Sequence, residues 1–497
     1  MARPAAVFRC DASSRLGSGH AARCLALADA LRAAGWACAF ASTPETCDTV
    51  PTLARSGHRV IELSEPTQEP AALKAAMPQG CELLVVDHYG RDIAFETACR
   101  SWAERILVCD DLADRSHDCD FLLDPTFERV PYDYTSLVPG NCRLLLGPEF
   151  ALLRVQFLAA RAAALRRRTG RDRIERILVS LGGTDPLNVT SKVLRGISLS
   201  GIAAQVDVVL GGKADPLEVA RALPASNASS ITLHIAVDDM ADLMSNADLA
   251  IGAAGTTSWE RCALGLPSLM LVIASNQQQI ARSLDGAGAA ASLGRDESVS
   301  EEELAAQLRA FAANPMRLAA MSKRAAAICD GRGTQRVLLA LLRPIVSRCG
   351  DHVALRLASV ADEAMILEWQ RDPATRRHAR NPAVPAPNEH RRWMAARLAD
   401  PGCFITVIDC SGTPAGILRL DRKTGAVNSH VISIFVAPGK HRRGLGACAL
   451  SLARQLVPGA ELIADILPEN QASVKLFSAA GYRRYDDGLF HCPPRAS

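Results

Sequence analysis

Residues 6–35 read AVFRCDASSRLGSGHAARCLALADALRAAG. A short apolar run, a polar turn framed by glycines and an alanine- and leucine-rich helix follow one another. That is how an α/β lobe begins. Gly17 and Gly19, with Ser18 between them, let the backbone turn tightly and approach a ligand closely. A helix start offers free N–H groups and a partial positive charge, which suit a diphosphate or a developing anion. His20 stands at that start, where the same partial charge favours a neutral imidazole. The pattern therefore predicts a catalytic base at the mouth of a cleft. The plainer alternative is a helix whose first turn happens to carry a histidine.

Working outward, the alternation continues. ELLVVD (82–87), RILVCDD (105–111) and FLLDP (121–125) read as buried parallel strands, and a basic, alanine-rich helix follows at about 152–168. The pattern then restarts with RILVSLGGTDP (176–186), QVDVVLGG (205–212), ITLHIAV (231–237), DLAIGAAGTTSWE (248–260) and SLMLVIAS (268–275). The fold class expected is α/β, with two Rossmann-like lobes over residues 1–165 and 166–343. Ligands of such sheets sit beyond the carboxyl ends of the strands. Asp87, His88 and Tyr89 follow a strand end and are expected sugar contacts, with His88 the rival base. In the second lobe, backbone N–H groups of Gly255, Thr256 and Thr257 are placed to take phosphate. Glu260, one turn into the next helix, can accept both hydroxyls of a ribose, and Asn276 and Gln277 share its rim. A surface carboxylate answering the helix dipole is the simpler reading of Glu260.

The character changes near RPIVSRCGDH (343–352). Helices around AMILEWQRD and EHRRWMAARL, then strands FITVIDC, PAGILRLDR and HVISIFVAP, lead into KHRRGLGACALSLARQL. This reads as a separate α+β domain over 350–497, expected to fold and work on its own core. Its basic, glycine-bearing loop suits a pyrophosphate.

Composition narrows the function classes. The 497 residues are 48% hydrophobic and 22% charged with a net charge of +3, which gives no reason to expect a nucleic-acid partner. No apolar run reaches membrane-spanning length, and the N-terminus reads straight into a strand, so a cytoplasmic protein without membrane insertion is expected. The 16 cysteines are scattered singly, with no CxxC pair. Reduced thiols and no metal site are the expectation.

GxxGTTSWExxxLGLPxLxLxxxxNQ resembles the nucleotide-binding lobe of the GT-B glycosyltransferases, the clan of the lipid II-forming N-acetylglucosaminyltransferase. RCDASSRLGSGHAARCLALA, VVDHYG, DDLADRSHDCDFLLDP, LLGPEFALLR and SLGGTDP are similar to a narrower family. These are the UDP-2,4-diacetamido-2,4,6-trideoxy-β-L-altropyranose hydrolases of pseudaminic acid biosynthesis, matched over about residues 5–340. The resemblance implies that His20 is the catalytic residue and adds Asp11, Gly183 and Thr184 to the UDP-sugar contacts. Where that family carries LLNQN this chain has LLDPT (122–126), so Asp124 inherits no role. The chemistry is consistent: UDP is a good leaving group, so one base and anion-binding donors suffice where ordinary glycosidases need two carboxylates. Attack opposite UDP predicts inversion.

HVISIFVAPGKHRRGLGACAL and PENQASVKLFSAAGY resemble the GNAT acetyltransferases over residues 353–490. The resemblance implies acetyl-CoA as co-substrate, bound by Val436, Arg442, Arg443, Gly444, Gly446, Ala447 and Asn470. His441 replaces the usual Gln or Arg, and Phe477 stands where many members carry an acidic tyrosine, with Tyr482 as a substitute. Val431 replaces the frequent glutamate base, which leaves neighbouring His430 or a water relay. Together the two resemblances imply a bifunctional UDP-sugar hydrolase and amino-sugar N-acetyltransferase. A glycosyltransferase with a sugar or lipid acceptor, or a hydrolase carrying an acetyl-CoA-sensing module, are the rivals.

Overall fold

Alternate residues of each central strand go to opposite apolar layers, which is why the strands read as unbroken hydrophobic runs. Ile177 and Val179 enter one core while Leu178 enters the other, and Leu269 and Leu271 part from Met270 and Val272 in the same way. The computed structural model describes residues 3–13, 15–63, 68–182, 185, 188–211, 230–423, 425 and 428–495. It divides into two compact units, Met1–Asp29 with Ala37–Thr334, and Ala30–Trp36 with Gln335–Ser497.

The first unit holds two parallel sheets. One comprises β1 (Ala5–Cys10), β2 (Ala37–Ser42), β3 (Arg59–Glu62), β4 (Cys81–Asp87), β5 (Ala103–Cys109), β6 (Phe121–Asp124) and β7 (Arg143–Leu146), in the order 3-2-1-4-5-6-7. The other comprises β8 (Arg176–Ser180), β9 (Gln205–Leu210), β10 (Ser230–Ile235), β11 (Leu249–Ala253), β12 (Ser268–Val272) and β13 (Ala291–Arg295), in the order 10-9-8-11-12-13. Each order reverses once, between β1 and β4 and between β8 and β11. A crevice opens at such a switch point. The helix after β1, α1, spans Gly19–Ala33.

The second unit is built on an eight-stranded mixed sheet. Its strands are β14 (Ile345–Val346), β15 (His352–Leu357), β16 (Cys403–Cys410), β17 (Thr413–Arg422), β18 (Ser429–Val436), β19 (Glu461–Asp465), β20 (Arg483–Asp486) and β21 (Leu489–Cys492). They lie in the order 14-15-16-17-18-19-21-20. β14 precedes residue 350, so a domain cut there would lose the sheet's edge strand. Among the described residues of this sheet only β18 and β19 pair in parallel, over Ser429–Ile432. Among the described residues the last half of β18 is bonded to β17 alone, which leaves one side of it open.

Candidate active site

His20 sits one residue into α1, beside the switch point of the first sheet, and its side chain is largely buried. Its Nδ1 lies 2.6 Å from Asp87 Oδ1, at the end of β4. Arg23, one turn further along α1, donates Nε to Asp87 Oδ2 at 2.6 Å and Nη2 to Oδ1 at 2.7 Å. Complete burial works to raise the Asp87 carboxyl, but the charge of Arg23, with His20, outweighs it and holds the group well below the usual carboxylate range. An ionised carboxylate only accepts, so His20 Nδ1 carries the ring proton and donates it to Asp87. With Nδ1 as the donor, the lone pair of a neutral ring would be on Nε2, which no protein group among the described residues engages.

The network continues across the crevice. Arg23 Nη1 donates to Asp111 Oδ2 at 3.1 Å, and the Tyr89 hydroxyl donates to Asp111 Oδ1 at 3.0 Å. The Tyr89 ring stands edge-on to His20, with centroids 4.7 Å apart. From the second lobe, Asn276 Nδ2 donates to the Tyr89 hydroxyl at 2.8 Å. Asp87 was expected as a sugar contact. Both its oxygens are spent inside the protein, on His20 and Arg23. Arg23 and Asp111 went unread in the sequence.

His88 is engaged at both ring nitrogens. The Gly90 amide donates to Nδ1 at 2.9 Å, so Nε2 carries the hydrogen and faces Asp11 Oδ2 at 3.3 Å. It has no free lone pair with which to act as a base. Asp11 is also held by Arg9 Nη1 at 2.9 Å and by the Thr43 amide at 2.8 Å, which makes it a brace for this rim. Asp124, fully buried, is bound by Arg129, by the Tyr134 hydroxyl at 2.9 Å and by the Thr126 amide at 2.8 Å. It ties down the loop after β6.

The glycine turns of the two lobes meet closely. Gly17 takes φ +75°, and a Cβ on Gly19 would come within 2.9 Å of Thr256 Oγ1. Ser18 lies between them and accepts the Ala22 amide on its carbonyl at 3.0 Å. The amides of Gly255 and Thr256 donate to no protein acceptor among the described residues, and Thr257 opens the Thr257–Ala263 helix. Glu260 is half-buried there, its carboxylate without a hydrogen bond or ion pair among the described residues. Burial pushes its carboxyl above the ordinary range, against the pull of Arg154 and Arg261. Arg261 buttresses the turn from behind, donating to the Ala253 carbonyl at 2.8 Å and Ser258 Oγ at 2.9 Å. Gln277 folds back, accepting the Ile273 amide at 3.1 Å. Gly183 and Thr184 lie outside the described residues.

In the second unit, Val436 ends β18, and Gly444 (φ +83°) precedes the Leu445–Leu456 helix that carries Gly446 and Ala447 in its first turn. The amides of Arg443 and Gly444 donate to no protein acceptor among the described residues, an arrangement that fits a pyrophosphate. Arg443 is paired with Asp351 at 2.6 Å. Arg442 takes a left-handed φ of +64°. Asn470 caps the Gln471–Ala479 helix through the Ser473 amide at 3.1 Å. Tyr482 is buried edge-on to Phe477, centroids 4.9 Å apart, as a core aromatic. His430 is buried at the end of β18 remote from the loop, and burial lowers its basicity. Among the described residues no group of three or more His, Cys, Asp or Glu could hold a metal ion. No helix there is long and apolar enough to cross a membrane.

Comparison with known proteins agrees with these two units. Residues 178–334 match the glycosyltransferase family 28 C-terminal domain, and residues 352–483 match the acetyltransferase (GNAT) domain. The spore coat polysaccharide biosynthesis protein SpsG of Bacillus subtilis is 33% identical over 202 residues, 40% of this chain and 58% of that protein. The UDP-2,4-diacetamido-2,4,6-trideoxy-β-L-altropyranose hydrolase of Campylobacter jejuni is 27% identical over 194 residues, 38% of this chain and 63% of that protein. The chain thus spans about three-fifths of the length of these relatives. MurG of Acinetobacter baumannii superposes with a TM-score of 0.51 at 16% identity, over 68% of this chain and 99% of that one. The first unit has a GT-B-like fold with partial homology to a UDP-sugar hydrolase. A separate GNAT domain is fused to it.

Proposed function

We propose that the first unit hydrolyses UDP-2,4-diacetamido-2,4,6-trideoxy-β-L-altropyranose and that the second acetylates the 4-amino group of its UDP-linked precursor. These would be two consecutive steps of pseudaminic acid biosynthesis. The observation that carries the hydrolase reading is the His20–Asp87 pair, with Nε2 free beside the crevice. The partial homology to the Campylobacter hydrolase supports the choice of substrate. Nε2 takes a proton from water while the water oxygen attacks the anomeric carbon. The bond from that carbon to the UDP oxygen breaks, and UDP leaves with the electron pair. The free amides of Gly255 and Thr256 take the diphosphate, and Glu260 accepts the ribose hydroxyls. Attack opposite the leaving group inverts the anomeric centre.

In the second unit the residues present fit acetyl-CoA, which supplies the acetyl group. The Arg443–Gly444 amides would hold its pyrophosphate, and the unpaired side of β18 would take its pantetheine arm. The full chain should release UDP from the diacetamido substrate without any acceptor, and CoA from acetyl-CoA when given the 4-amino precursor. UDP release that depends on an added sugar or lipid acceptor would replace hydrolysis by transfer. CoA binding without turnover would make the second unit a sensor.

Glu260→Ala is expected to weaken UDP binding by about 1.5–3 kcal/mol, the scale for hydrogen bonds to a charged acceptor. Calorimetric titration with UDP checks this. Unchanged affinity would return Glu260 to a surface role.

A further inference from the structure

β14 and β15 pair antiparallel, Ile345 with Val353 and Val346 with His352, and Ser347–Asp351 close the turn between them. The turn is locked from within. The Ser347 amide donates to the Asp351 carbonyl at 2.8 Å, and the Gly350 amide to the Ser347 carbonyl at 2.9 Å. Ser347 Oγ accepts the amides of Cys349 and Asp351, both at 3.2 Å. Two side chains reach from this strap to the loop after β18. Arg348 donates Nε to the Arg442 carbonyl at 3.2 Å, with Nη2 on the same oxygen. Asp351 accepts Arg443 Nη2 at 2.6 Å and Nε at 3.2 Å. Gly444 lies under the strap: a Cβ there would come within 3.2 Å of Arg348 Cγ.

The carbonyl and the following N–H of a trans peptide point in opposite directions. Tying the Arg442 carbonyl to Arg348 therefore turns the Arg443 N–H away from the strap. That amide and the next one donate to no protein acceptor among the described residues. Arg442 has a positive φ without being glycine, a conformation that persists only where its surroundings hold it. Arg348 supplies that hold.

We propose that the strap Ser347–Asp351 is a working part of the acyl-donor site, and that Arg348 is a positioning residue presetting the loop for the pyrophosphate of a nucleotide thioester. This rests on the reading that the second unit takes acetyl-CoA. Arg443 then acts with the strap through Asp351, while its backbone amide meets the anion. A preset loop orders fewer groups on binding, so affinity for the pyrophosphate rises without new contacts to the ligand.

The test titrates the full chain with CoA, with 3′-dephospho-CoA and, to millimolar concentration, with acetylpantetheine, which has no pyrophosphate. Arg348→Ala should weaken CoA and dephospho-CoA alike by about tenfold, the scale of a charge-assisted contact, and leave acetylpantetheine unchanged. Arg348→Lys should restore part of the loss. Asp351→Asn should show the same selectivity, so the idea does not hang on one variant folding. Unchanged CoA affinity in Arg348→Ala, or equal weakening of acetylpantetheine, overturns the strap. Wild-type protein that fails to bind CoA removes the acetyl-CoA reading itself, and the strap with it.

Discussion

His20→Asn is expected to lower UDP release by about two to four decades, the usual scale for losing a general base, while UDP affinity stays within about twofold. Asparagine keeps the reach toward Asp87 but offers no basic lone pair to water. The comparison that gives the experiment its force is Asp87→Asn. Its side-chain amide can donate to His20 Nδ1, which moves the ring proton to Nε2 and blocks the base without removing it. Turnover in both variants should therefore fall on a comparable scale, although only one of them lacks the histidine. Near-normal turnover in His20→Asn would mean that the proton goes elsewhere. His88 could take over only by giving up the Gly90 amide or the Asp11 carboxylate that now occupy its ring. A loss confined to His20→Asn, with Asp87→Asn active, would keep the base and discard its orientation by Asp87.

The parts of this site that sequence made legible are those set by strand order. A residue at or just past the end of a parallel strand lies at the crevice end of the sheet whatever its neighbours, and that is where His20, Asp87 and Tyr89 meet, with Asn276 of the second lobe on the Tyr89 hydroxyl. What sequence did not carry is which polar groups satisfy one another. Asp87 lies 67 positions from His20, and nothing local distinguishes an oxygen offered to substrate from one spent on imidazole. Arg23 did leave a trace. It is a charge in the first turns of an alanine- and leucine-rich helix, three residues after His20, hence on the same face of α1 and in need of a carboxylate. Asn470 and Tyr482 matched their motifs in position, yet one is occupied in capping a helix and the other is packed in the core. The strap was out of reach altogether. A two-residue strand has no periodicity, and Arg348 acts on a loop 94 positions away.

Arg23→Met is expected to destabilise the first unit by about 3–5 kcal/mol at neutral pH, the cost of leaving a buried charge without its partner. Methionine fills most of the space, so the loss reports the ion pair rather than a cavity. In the wild-type protein Asp87 is held below its unfolded value of about 3.9 by Arg23 and His20. Its stabilising contribution is therefore complete above roughly pH 4 and is lost as the pH falls below that value. Without Arg23, complete burial is opposed by His20 alone, and the folded-state carboxyl is expected to rise above the unfolded one. The variant then gains relative stability as protons are added, and its deficit should be smaller at pH 5 than at pH 7. Denaturant unfolding at the two pH values reads both predictions. Adding Asp87→Leu to Arg23→Met should recover part of the loss at pH 7, because it removes the stranded charge, yet it should restore no UDP release. An Arg23→Met protein as stable as wild type at pH 7 would mean that Asp87 finds another cation or water. His20 would then owe its orientation to something other than this pair. A deficit that does not change between pH 5 and pH 7 would trace the loss to packing around α1 instead of to the carboxylate.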